Sequence, residues 1–271
     1  MKKTILITGS NSGIGKITAE YFAEKNWQVI ATMRNIEKAG SLKEHPNISI
    51  YQLDVTDAHS IENAKIVILN DFGKIDVIVN NAGFGCYGAF EPTTESKIDR
   101  QLAVNIKGVM MVTKVFLEHF RKNRAGLFIN ISSIAGLVSY PLASMYVCSK
   151  WAVEGFTEAI SYELRPLNIR VKLVEPGGFK TNFQLEGMSW SHDESMPEYH
   201  EVTQKTIETK RQRQPEMPDP IAVAKKIFEA ANDESERLRY LVGDDAESYF
   251  AKRKEVGGEK YINDVYQNFI K

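Results

Sequence analysis

The sequence predicts an α/β protein built on a doubly wound parallel sheet of about seven strands, with helices on both faces. Short β-branched runs alternate with longer stretches of helical spacing, and the runs are almost entirely apolar. Strands of this kind are buried on both faces, because right-handed crossovers place helices on each side of a parallel sheet. The first run also passes through a glycine-rich turn directly into a helix, which is the opening unit of a Rossmann fold.

The positions of the strands and helices follow from these runs. We expect the seven strands at residues 5–8, 29–32, 48–53, 77–80, 127–131, 171–174 and 239–242. Apolar residues at helical spacing predict, among others, helices at 13–25, 95–122 and 144–164. The alternation continues without an internal repeat or a low-complexity tract, so residues 1–271 are predicted to form a single domain.

Residues 182–220 interrupt this alternation between the sixth strand and the helix before the seventh. The segment mixes aromatic and methionine residues with many polar ones and ends in the proline-rich stretch 214–220. A long insertion in a compact domain is usually functional or mobile, and this apolar content is unusual for a solvated tether. We therefore predict a substrate lid over a pocket. The alternative is a set of surface helices packed on the body of the protein, which would give a similar sequence.

The composition excludes several classes of function. Among the 271 residues, 34 lysines and arginines nearly balance 35 aspartates and glutamates, so neither a nucleic acid nor a membrane is an expected partner. The two cysteines, Cys86 and Cys148, lack the spacing of a disulfide scaffold or zinc site, and Cys148 is expected to be a small buried residue. The first apolar run is too short for a signal peptide, and no run approaches the roughly 18 apolar residues of a spanning helix. A soluble, cytoplasmic protein is expected.

The turn after the first strand has the chemistry of a pyrophosphate site. Three glycines at G-x-x-x-G-x-G spacing let the backbone approach a phosphate, and the following helix presents N–H donors and the positive end of its dipole. The spacing differs from the general G-x-G-x-x-G fingerprint, but the strand before it and the helix after it support a dinucleotide site. The predicted contacts in this turn are Gly9, Ser10, Ser12, Gly13, Ile14 and Gly15.

The end of the second strand bears on the choice between NADP and NAD. In this fold an acidic residue there accepts hydrogen bonds from the ribose 2′-hydroxyl of NAD. Residues 31–35 contain no acid, and the guanidinium of Arg34 could instead hold a 2′-phosphate through charge-assisted hydrogen bonds. NADP(H) is therefore predicted in preference to NAD(H). The alternative is that Arg34 is a solvated surface residue.

A serine, a tyrosine and a lysine carry the densest chemical signal. Tyr146 and Lys150 are four positions apart, so they share one face of the predicted helix. A cation there is expected to lower the pKa of a phenol from about 10 towards working pH, which suits proton transfer. Ser133 follows an apolar strand, and open α/β sheets place ligands at the carboxyl ends of their strands.

These motifs, with Asn-Asn-Ala-Gly at 80–83 and Pro-Gly at 176–177, closely resemble those of the short-chain dehydrogenase/reductase family. The resemblance extends over roughly two-thirds of the chain, from residue 4 to about residue 181, with every motif in order. It implies that the chain is an oxidoreductase that uses a nicotinamide cofactor.

The resemblance also implies roles for individual residues. Tyr146 corresponds to the general acid or base, and Lys150 to the lysine that contacts the nicotinamide ribose and tunes the tyrosine. Ser133 lies 13 positions before the tyrosine and corresponds to the serine that hydrogen-bonds the substrate oxygen. Asn105 resembles the asparagine that holds a water in the proton relay to the lysine. The complete set makes a catalytically dead relative less expected.

Other positions of the family pattern imply cofactor contacts. Asp54 is similar to the acid that accepts from the adenine amino group, and 176–181 resembles the P-G-x-x-x-T run around the nicotinamide amide. Gly178 adds a second glycine that the motif does not require. The contacts implied outside the first turn are Arg34, Asp54, Val55, Asn81, Ala82, Gly83, Tyr146, Lys150, Pro176, Gly177, Phe179 and Thr181.

The sequence therefore favours an NADP(H)-dependent oxidoreductase that transfers a hydride between nicotinamide and a small-molecule alcohol or carbonyl. An apolar substrate is expected, either a ketone or a steroid- or retinoid-like compound, since residues 31–34 and 179–181 resemble those of family members that act on steroids and retinoids. Its expected contacts are Phe84, Tyr140, Phe179, Phe183, Leu185, Met188 and Trp190. The alternative is a non-catalytic NADP-binding regulatory protein, against which the complete catalytic set argues.

Two further expectations concern assembly and metals. The family resemblance implies a homodimer or homotetramer formed through the helices at 95–122 and 144–164. No metal site is predicted, because the acidic and histidine side chains of the insertion lack the spacing of a ligand set. The residues in question are His192, Asp193, Glu194 and His200.

Overall fold

A parallel sheet of seven strands forms the centre of the computed structural model, which describes residues 2–181, 188–213 and 216–269. In chain order the strands are β1 (Thr4–Thr8), β2 (Gln28–Met33), β3 (Ile48–Gln52), β4 (Val77–Asn80), β5 (Gly85–Gly88), β6 (Gly126–Ile131), β7 (Ile169–Pro176), β8 (Met188–Ser191) and β9 (Arg239–Val242). The large sheet has the order β3-β2-β1-β4-β6-β7-β9, and all its neighbours are parallel. The predicted seven-stranded, doubly wound sheet is confirmed.

Helices cover both faces of this sheet. They are α1 (Gly13–Glu24), α2 (Ala58–Phe72), α3 (Glu95–Leu102), α4 (Gly108–Asn123), α5 (Ser144–Leu164), α6 (His200–Arg213), α7 (Ile221–Asn232), α8 (Asp244–Val256) and α9 (Gly258–Phe269). Shorter 3₁₀ segments lie at Ile36–Glu44, Ile134–Gly136, Arg165–Leu167 and Pro197–Tyr199. Across the described ranges, none of the helices combines the length and the apolar character needed to cross a membrane.

Successive side chains of β1 enter opposite faces of the sheet, and both faces are buried. Ile5 and Ile7 belong to an apolar cluster that includes residues of α1 and α7, whereas Leu6 belongs to a second cluster with residues of α2 and α4. All three side chains are fully buried. Burial of each such side chain contributes about 1.5–3 kcal/mol relative to an exposed one. The continuous apolar runs of the sequence thus reflect two separate cores.

The helix predicted at 95–122 is interrupted. A π-helical turn at Ala103–Lys107 separates α3 from α4 and contains Asn105. Such turns are rare and often occur at functional sites. A Cβ on Gly108 would lie 2.9 Å from Cγ2 of Val55, so the glycine lets α4 begin close to the loop after β3. Apolar periodicity does not indicate one extra residue in a turn, which is why the sequence predicts a continuous helix.

The second sheet, a parallel pair of β5 and β8, lies outside the sequence prediction. Gly88 has a φ of +112°, and a Cβ there would lie 2.1 Å from the carbonyl oxygen of Ser191, so this pairing requires glycine. The Nζ of Lys97 in α3 donates to the carbonyl of Trp190 at 2.6 Å and fixes β8 further. The Gly-Cys-Tyr-Gly sequence of β5 has two glycines and no β-branched residue, so its composition gives only a weak strand signal.

The insertion at 182–220 is therefore partly tied to the body of the protein. After β8 it continues through a 3₁₀ segment into α6. Residues 182–187, 214 and 215 of the predicted lid lie outside the described residues. The lid and the single domain remain predictions.

Cys148 is exposed, which corrects the expectation that it is buried. It follows the buried Tyr146 by two positions on α5, and two positions correspond to roughly 200° around a helix axis. The face of α5 that packs on the sheet therefore excludes Cys148. Cys86 of β5 is buried.

Candidate active site

The carboxyl ends of the central strands open into one cavity of about 640 Å³. The turns after β1, β4, β6 and β7 and the ends of β2 and β3 contribute to its wall, and α6, α8 and α9 supply further lining residues. Most predicted site residues line it: Gly9, Ser12, Gly13, Ile14, Arg34, Asp54, Val55, Asn81, Ala82, Gly83, Ser133, Tyr146, Lys150, Pro176, Gly177, Phe179 and Thr181.

The turn after β1 is shaped to receive an anion. Gly9 and Gly13 have φ values of +68° and +54°, in the left-handed region that favours glycine. A Cβ on Gly9 would lie 2.9 Å from Cα of Ala82. Ser12, the N-cap of α1, makes no side-chain capping bond, and the first turn contains no acid, so the N–H groups of the helix start are not covered by a cap. Backbone donors and the helix dipole together favour a phosphate here.

Two predicted residues of this turn do not line the cavity. Ser10 is fully buried, and its hydroxyl donates to the carbonyl of Ile7 at 2.9 Å. A Cβ on Gly15 would lie 2.4 Å from the carbonyl oxygen of Gly9 and equally close to Nδ2 of Asn81. Ser10 and Gly15 therefore stabilise the conformation of the turn from the side that faces away from the cavity.

Two cations line the cavity beyond the end of β2. Arg34 follows the strand directly, and Lys38 lies in the adjoining 3₁₀ segment. Both are exposed, and neither forms an ion pair with a described residue. Asp54 also lines the cavity, but one of its oxygens accepts from the backbone N–H and the hydroxyl of Thr56 at 2.9 and 2.7 Å. Arg34 and Lys38 thus give this end of the cavity a positive charge.

Ser133, Tyr146 and Lys150 meet on one part of the cavity wall. Ser133 follows β6, and its hydroxyl donates to the carbonyl of Pro176 at a long 3.4 Å. The phenol of Tyr146 is hydrogen-bonded to the side chain of Ser133. The Nζ of Lys150 lies 5.7 Å from the centre of the tyrosine ring and donates to the carbonyl of Ile131 at 2.8 Å. A hydroxyl, a phenol and an ammonium group are therefore brought together as the sequence predicts.

Burial controls the protonation of the phenol and the ammonium. It raises the pKa of Tyr146 to about 12, while the hydrogen bond with Ser133 lowers it. It lowers the pKa of Lys150 to about 8, against the attraction of Glu154. The pKa of the phenol is thus raised and not lowered as the sequence led us to expect, because desolvation of the phenolate outweighs the hydrogen bond from Ser133. Tyr146 holds its proton at neutral pH, and this is the form that can donate one.

Asn105 is placed behind the cavity wall. Its Oδ1 accepts from the N–H of Phe84 at 3.1 Å, and its Nδ2 donates to the carbonyl of Phe84 at 2.9 Å and to Oγ of Ser149 at 3.1 Å. The side chain is buried and does not line the cavity. Its amide holds the turn after β4 against α5. The water-holding role implied by the family resemblance remains a prediction.

An aromatic stack joins the small sheet to the phenol. Tyr87 of β5 packs on Tyr146 with ring centroids 5.4 Å apart, and Trp190 of β8 packs on Tyr87 at 5.8 Å. Tyr87 also lines the cavity, whereas Trp190 lies behind it. The sequence does not single out Tyr87, and its position shortly after the Asn-Asn-Ala-Gly run is the only available signal.

The apolar contacts expected for a substrate are found in part. Phe84, Tyr140 and Phe179 line the cavity, whereas Trp190 does not, because it packs behind Tyr87. Phe183, Leu185 and the side chain of Met188 lie outside the described residues. Several lining residues come from regions without a family motif: Lys38, Tyr87, Arg100, Thr206, Thr209, Met217, Asp245, Tyr249, Tyr261 and Val265. For the last two, the helical spacing of apolar residues in the final stretch could have indicated an amphipathic helix.

Asp245 accounts for the first of the two glycines after Pro176. Its Oδ2 accepts from the N–H of Gly178 at 2.7 Å, and its Oδ1 accepts from the N–H of Ala246 at 2.8 Å. A Cβ on Gly177 would lie 1.9 Å from Oδ1, so no side chain fits there. Gly177 makes room for the carboxylate, and Gly178 supplies a donor to it. Because residue 245 is distant along the chain, motif spacing could not indicate this contact.

The histidines of the insertion stack on each other. The rings of His192 and His200 have centroids 4.9 Å apart, and Asp193 accepts from the N–H and the hydroxyl of Ser195. Glu194 is exposed. Over the described part of the chain, no group of three histidine, cysteine or acidic side chains is arranged to hold a metal ion.

The sheet order, the glycine turn and the serine–tyrosine–lysine cluster together define one class of protein. The family model described as short chain dehydrogenase matches residues 3–191, well over half of the chain. The protein therefore belongs to the short-chain dehydrogenase family, a family of oxidoreductases.

Individual relatives extend this similarity. A 3-ketodihydrosphingosine reductase of Bacteroides thetaiotaomicron is 42% identical over 180 residues, which cover 66% of this chain and 65% of its own. A short-chain dehydrogenase from Streptomyces avermitilis has a TM-score of 0.84 at 32% identity, over 94% of this chain and 92% of its own. ElxO with NADP bound has a TM-score of 0.73 at 32% identity, over 89% and 98% of the two chains.

Proposed function

We propose that the protein is an NADP(H)-dependent oxidoreductase that transfers a hydride between a nicotinamide and an alcohol or carbonyl group of an apolar small molecule. The observation that carries the proposal is the cluster of Ser133, Tyr146 and Lys150 on the wall of a cavity that also includes the glycine turn and two cations. The phenol of Tyr146 can donate a proton into this cavity, which would accept a dinucleotide and a substrate together.

The residues present fit a dinucleotide with a 2′-phosphate. The left-handed glycines and the uncapped start of α1 suit a pyrophosphate. Arg34 and Lys38 would hold the 2′-phosphate through charge-assisted hydrogen bonds. The NADP bound to ElxO, a protein 32% identical to this one, supports the same preference. When bound, such a cofactor supplies or accepts the hydride.

Tyr146 donates the proton in the reducing direction. Its phenol is protonated at neutral pH because burial raises its pKa, so it is ready to transfer the proton to a carbonyl oxygen. The hydroxyl of Ser133 donates to Pro176 only at a long 3.4 Å, while its oxygen accepts from the N–H of Ala135 at 3.1 Å, so its proton can turn to the substrate oxygen and orient it. The ammonium of Lys150 then stabilises the phenolate that remains. Oxidation of an alcohol reverses these steps.

An apolar ketone or alcohol is the proposed class of substrate. Phe84, Tyr140, Phe179, Met217 and Val265 supply apolar surface to the cavity. A cavity of this character binds by apolar burial and leaves orientation to a few polar groups. The Bacteroides relative, named as a reductase of 3-ketodihydrosphingosine, supports a ketone.

Two structural proposals accompany this function. The segment 182–220 is proposed as the substrate lid, since Thr206 and Thr209 of its helix α6 line the cavity. A homodimer or homotetramer is proposed through α3, α4 and α5, because Trp151 and Tyr162 of α5 are 43% and 73% exposed. Size-exclusion chromatography with light scattering tests the assembly, and a monomer would refute it.

Oxidation of NADPH by the purified protein over a panel of apolar and polar ketones and aldehydes tests the function. Tyr146→Phe is expected to lower kcat by about 100-fold or more, the usual contribution of a general acid. Tyr162→Phe is the matched control, because it removes an exposed phenol from the same helix. Unchanged turnover in Tyr146→Phe would contradict the proposal. A wild type that binds NADPH and a partner protein but reduces nothing would favour a regulatory role.

A further inference from the structure

Glu154, Glu175 and Arg239 form a buried charged cluster behind the proposed active site. They belong to α5, β7 and β9, and both carboxyl side chains are buried. Nη2 of Arg239 lies 3.2 Å from Oε2 of Glu154, and its Nε lies 3.4 Å from Oε1 of Glu175. The guanidinium also reaches the half-exposed Glu158 at 2.9 Å. The proposed proton transfer does not itself use these three groups.

The two buried carboxyl groups share one guanidinium, and burial favours the neutral form of each. Burial, followed by the charge of Glu154, raises the pKa of Glu175 to about 9, so Glu175 carries a proton at neutral pH. Burial also raises the pKa of Glu154, but Ser132, Arg239 and Lys150 oppose that rise. Of the two carboxyl groups, Glu154 therefore has the surroundings that favour the charged form more, with Nη2 of Arg239 at 3.2 Å from its Oε2.

Glu154 follows Lys150 by one helical turn, and both side chains reach the end of β6. The ammonium of Lys150 donates to the carbonyl of Ile131, and no carboxylate in the described residues forms an ion pair with it. Glu154 is the acidic group whose attraction raises the pKa of Lys150 against the effect of burial.

The cluster also contacts the wall of the cavity. Ser132 lines the cavity beside Ser133. A Cβ on Gly136 would lie 2.7 Å from Oγ of Ser132 and 2.9 Å from Oε1 of Glu154, so the glycine keeps open the space between the two. The carboxylate of Glu154 thus sits directly behind the turn that carries the serine of the proposed site.

We propose that Glu154, which Arg239 holds in place one helical turn after Lys150, is a positioning residue that keeps the Lys150 ammonium charged at the cavity wall. The effect on turnover rests on the proposed function, but the effect on the lysine does not. The ionisable groups that act on this cluster are Tyr146, Lys150 and Glu158 of α5, Glu175 of β7, Arg237 before β9 and Arg239 of β9.

Titration of the Lys150 side chain tests the proposal in the protein without added ligand. Lysine is labelled with ¹³C at the ε position, and Lys150→Arg assigns the signal. In Glu154→Gln the pKa of Lys150 is expected to fall by about one unit or more, as for the loss of one nearby opposite charge. If Glu154→Gln folds and its Lys150 has the same pKa as in the wild type, the proposal is overturned.

Two control variants separate this effect from general disturbance of the cluster. Glu158→Gln removes an exposed carboxylate that also contacts Arg239, and Glu175→Gln replaces a protonated carboxyl by a neutral amide. Both variants are expected to leave the pKa of Lys150 unchanged. A Lys150 pKa shift in either control as large as that in Glu154→Gln would overturn the proposal. If Glu154→Gln does not fold, Glu154→Asp replaces it. Withdrawal of the carboxylate by one methylene should then lower the lysine pKa part of the way, and an unchanged titration would again overturn it.

The pH dependence of kcat gives a second readout. Glu154→Gln is expected to lose activity at a lower pH than the wild type on the alkaline side, whereas Glu158→Gln keeps the wild-type profile. A wild-type profile in Glu154→Gln contradicts the proposal. If the wild type reduces no carbonyl compound, the proposed function fails, but the titration still decides the role of Glu154.

Discussion

Arg34 is the residue on which the choice between NADP(H) and NAD(H) is expected to depend. Arg34→Asp should weaken NADPH binding by about tenfold to a hundredfold, because hydrogen bonds to a charged group contribute about 1.5–3 kcal/mol. NADH binding should not weaken, because an acid at this position can accept a hydrogen bond from the ribose 2′-hydroxyl. Fluorescence titration of both cofactors measures the two Kd values.

Lys43→Asp is the matched control for Arg34. Lys43 lies in the 3₁₀ segment that follows Arg34, pairs with Glu37 and does not line the cavity. This variant should retain the wild-type ratio of Kd values. An unchanged ratio in Arg34→Asp would show that the arginine is only a solvated surface residue.

Gly177 and Asp245 are expected to be coupled energetically. Gly177→Ala should destabilise the protein, because its Cβ would overlap the carboxylate. Asp245→Ala should cost about 1–3 kcal/mol through lost hydrogen bonds to the Gly178 and Ala246 amides. The double variant should lose less unfolding free energy than the sum of the losses in the two single variants. Urea unfolding of the three variants measures these losses. Strict additivity would show that the glycine is not required by this contact.

α5 illustrates how much of an element the sequence can predict. Its bounds follow from apolar spacing, and its placement of Tyr146 and Lys150 follows from the helical repeat. The same repeat does not indicate that Glu154 meets Arg239, because that contact depends on how β9 lies beside β7. The sequence does not indicate the π-helical turn around Asn105 either, because this turn leaves the apolar pattern of the helix intact.

Gly88 is expected to control the pairing of β5 and β8. Gly88→Ala introduces both a left-handed alanine and a contact with Ser191, so the amides of β8 should exchange hydrogen faster. Gly73→Ala is the control, because Gly73 has a φ of +67° but no atom near its missing Cβ. It should lower stability without a specific change in β8. Hydrogen exchange with mass spectrometry distinguishes them, and equal exchange of β8 in both variants would contradict the prediction.

Across the whole molecule, Glu175 should link stability to pH. Its pKa is about 9 in the folded protein, against 4.5 as its ordinary value, so the folded state binds an extra proton between these limits. Its contribution is fully present below about pH 4.5 and is lost as pH rises towards 9. One such group changes the unfolding free energy by at most about 1.4 kcal/mol per pH unit.

Glu175→Gln isolates this contribution. Between pH 6 and 8 its unfolding free energy should fall less with pH than that of the wild type, as urea unfolding at several pH values would measure. Lys150 and Lys172, whose pKa values burial lowers to about 8, act in the opposite direction above pH 8 and are common to both proteins. Parallel pH dependence in the two proteins would show that Glu175 is ionised in the folded state.

At this scale, the sequence predicts the part of the cavity built from local motifs. The glycine turn, Arg34 and the Ser133–Tyr146–Lys150 cluster follow from residue type, spacing and strand ends. The wall formed by α6, α8 and α9 depends on how the last third of the chain folds back over the sheet. No motif spacing describes that packing, so Asp245 and Tyr261 emerge only from the structure.

The pairing of β5 with β8 has a consequence for the order of folding. It joins segments roughly a hundred residues apart in the chain, and two strands of the large sheet, β6 and β7, lie between them together with α3, α4 and α5. Closing so long a loop is entropically unfavourable until the intervening chain is already compact. We therefore expect this small sheet to assemble after the large one, so that a refolding chain would acquire its native secondary structure before it completes the wall beside Tyr146.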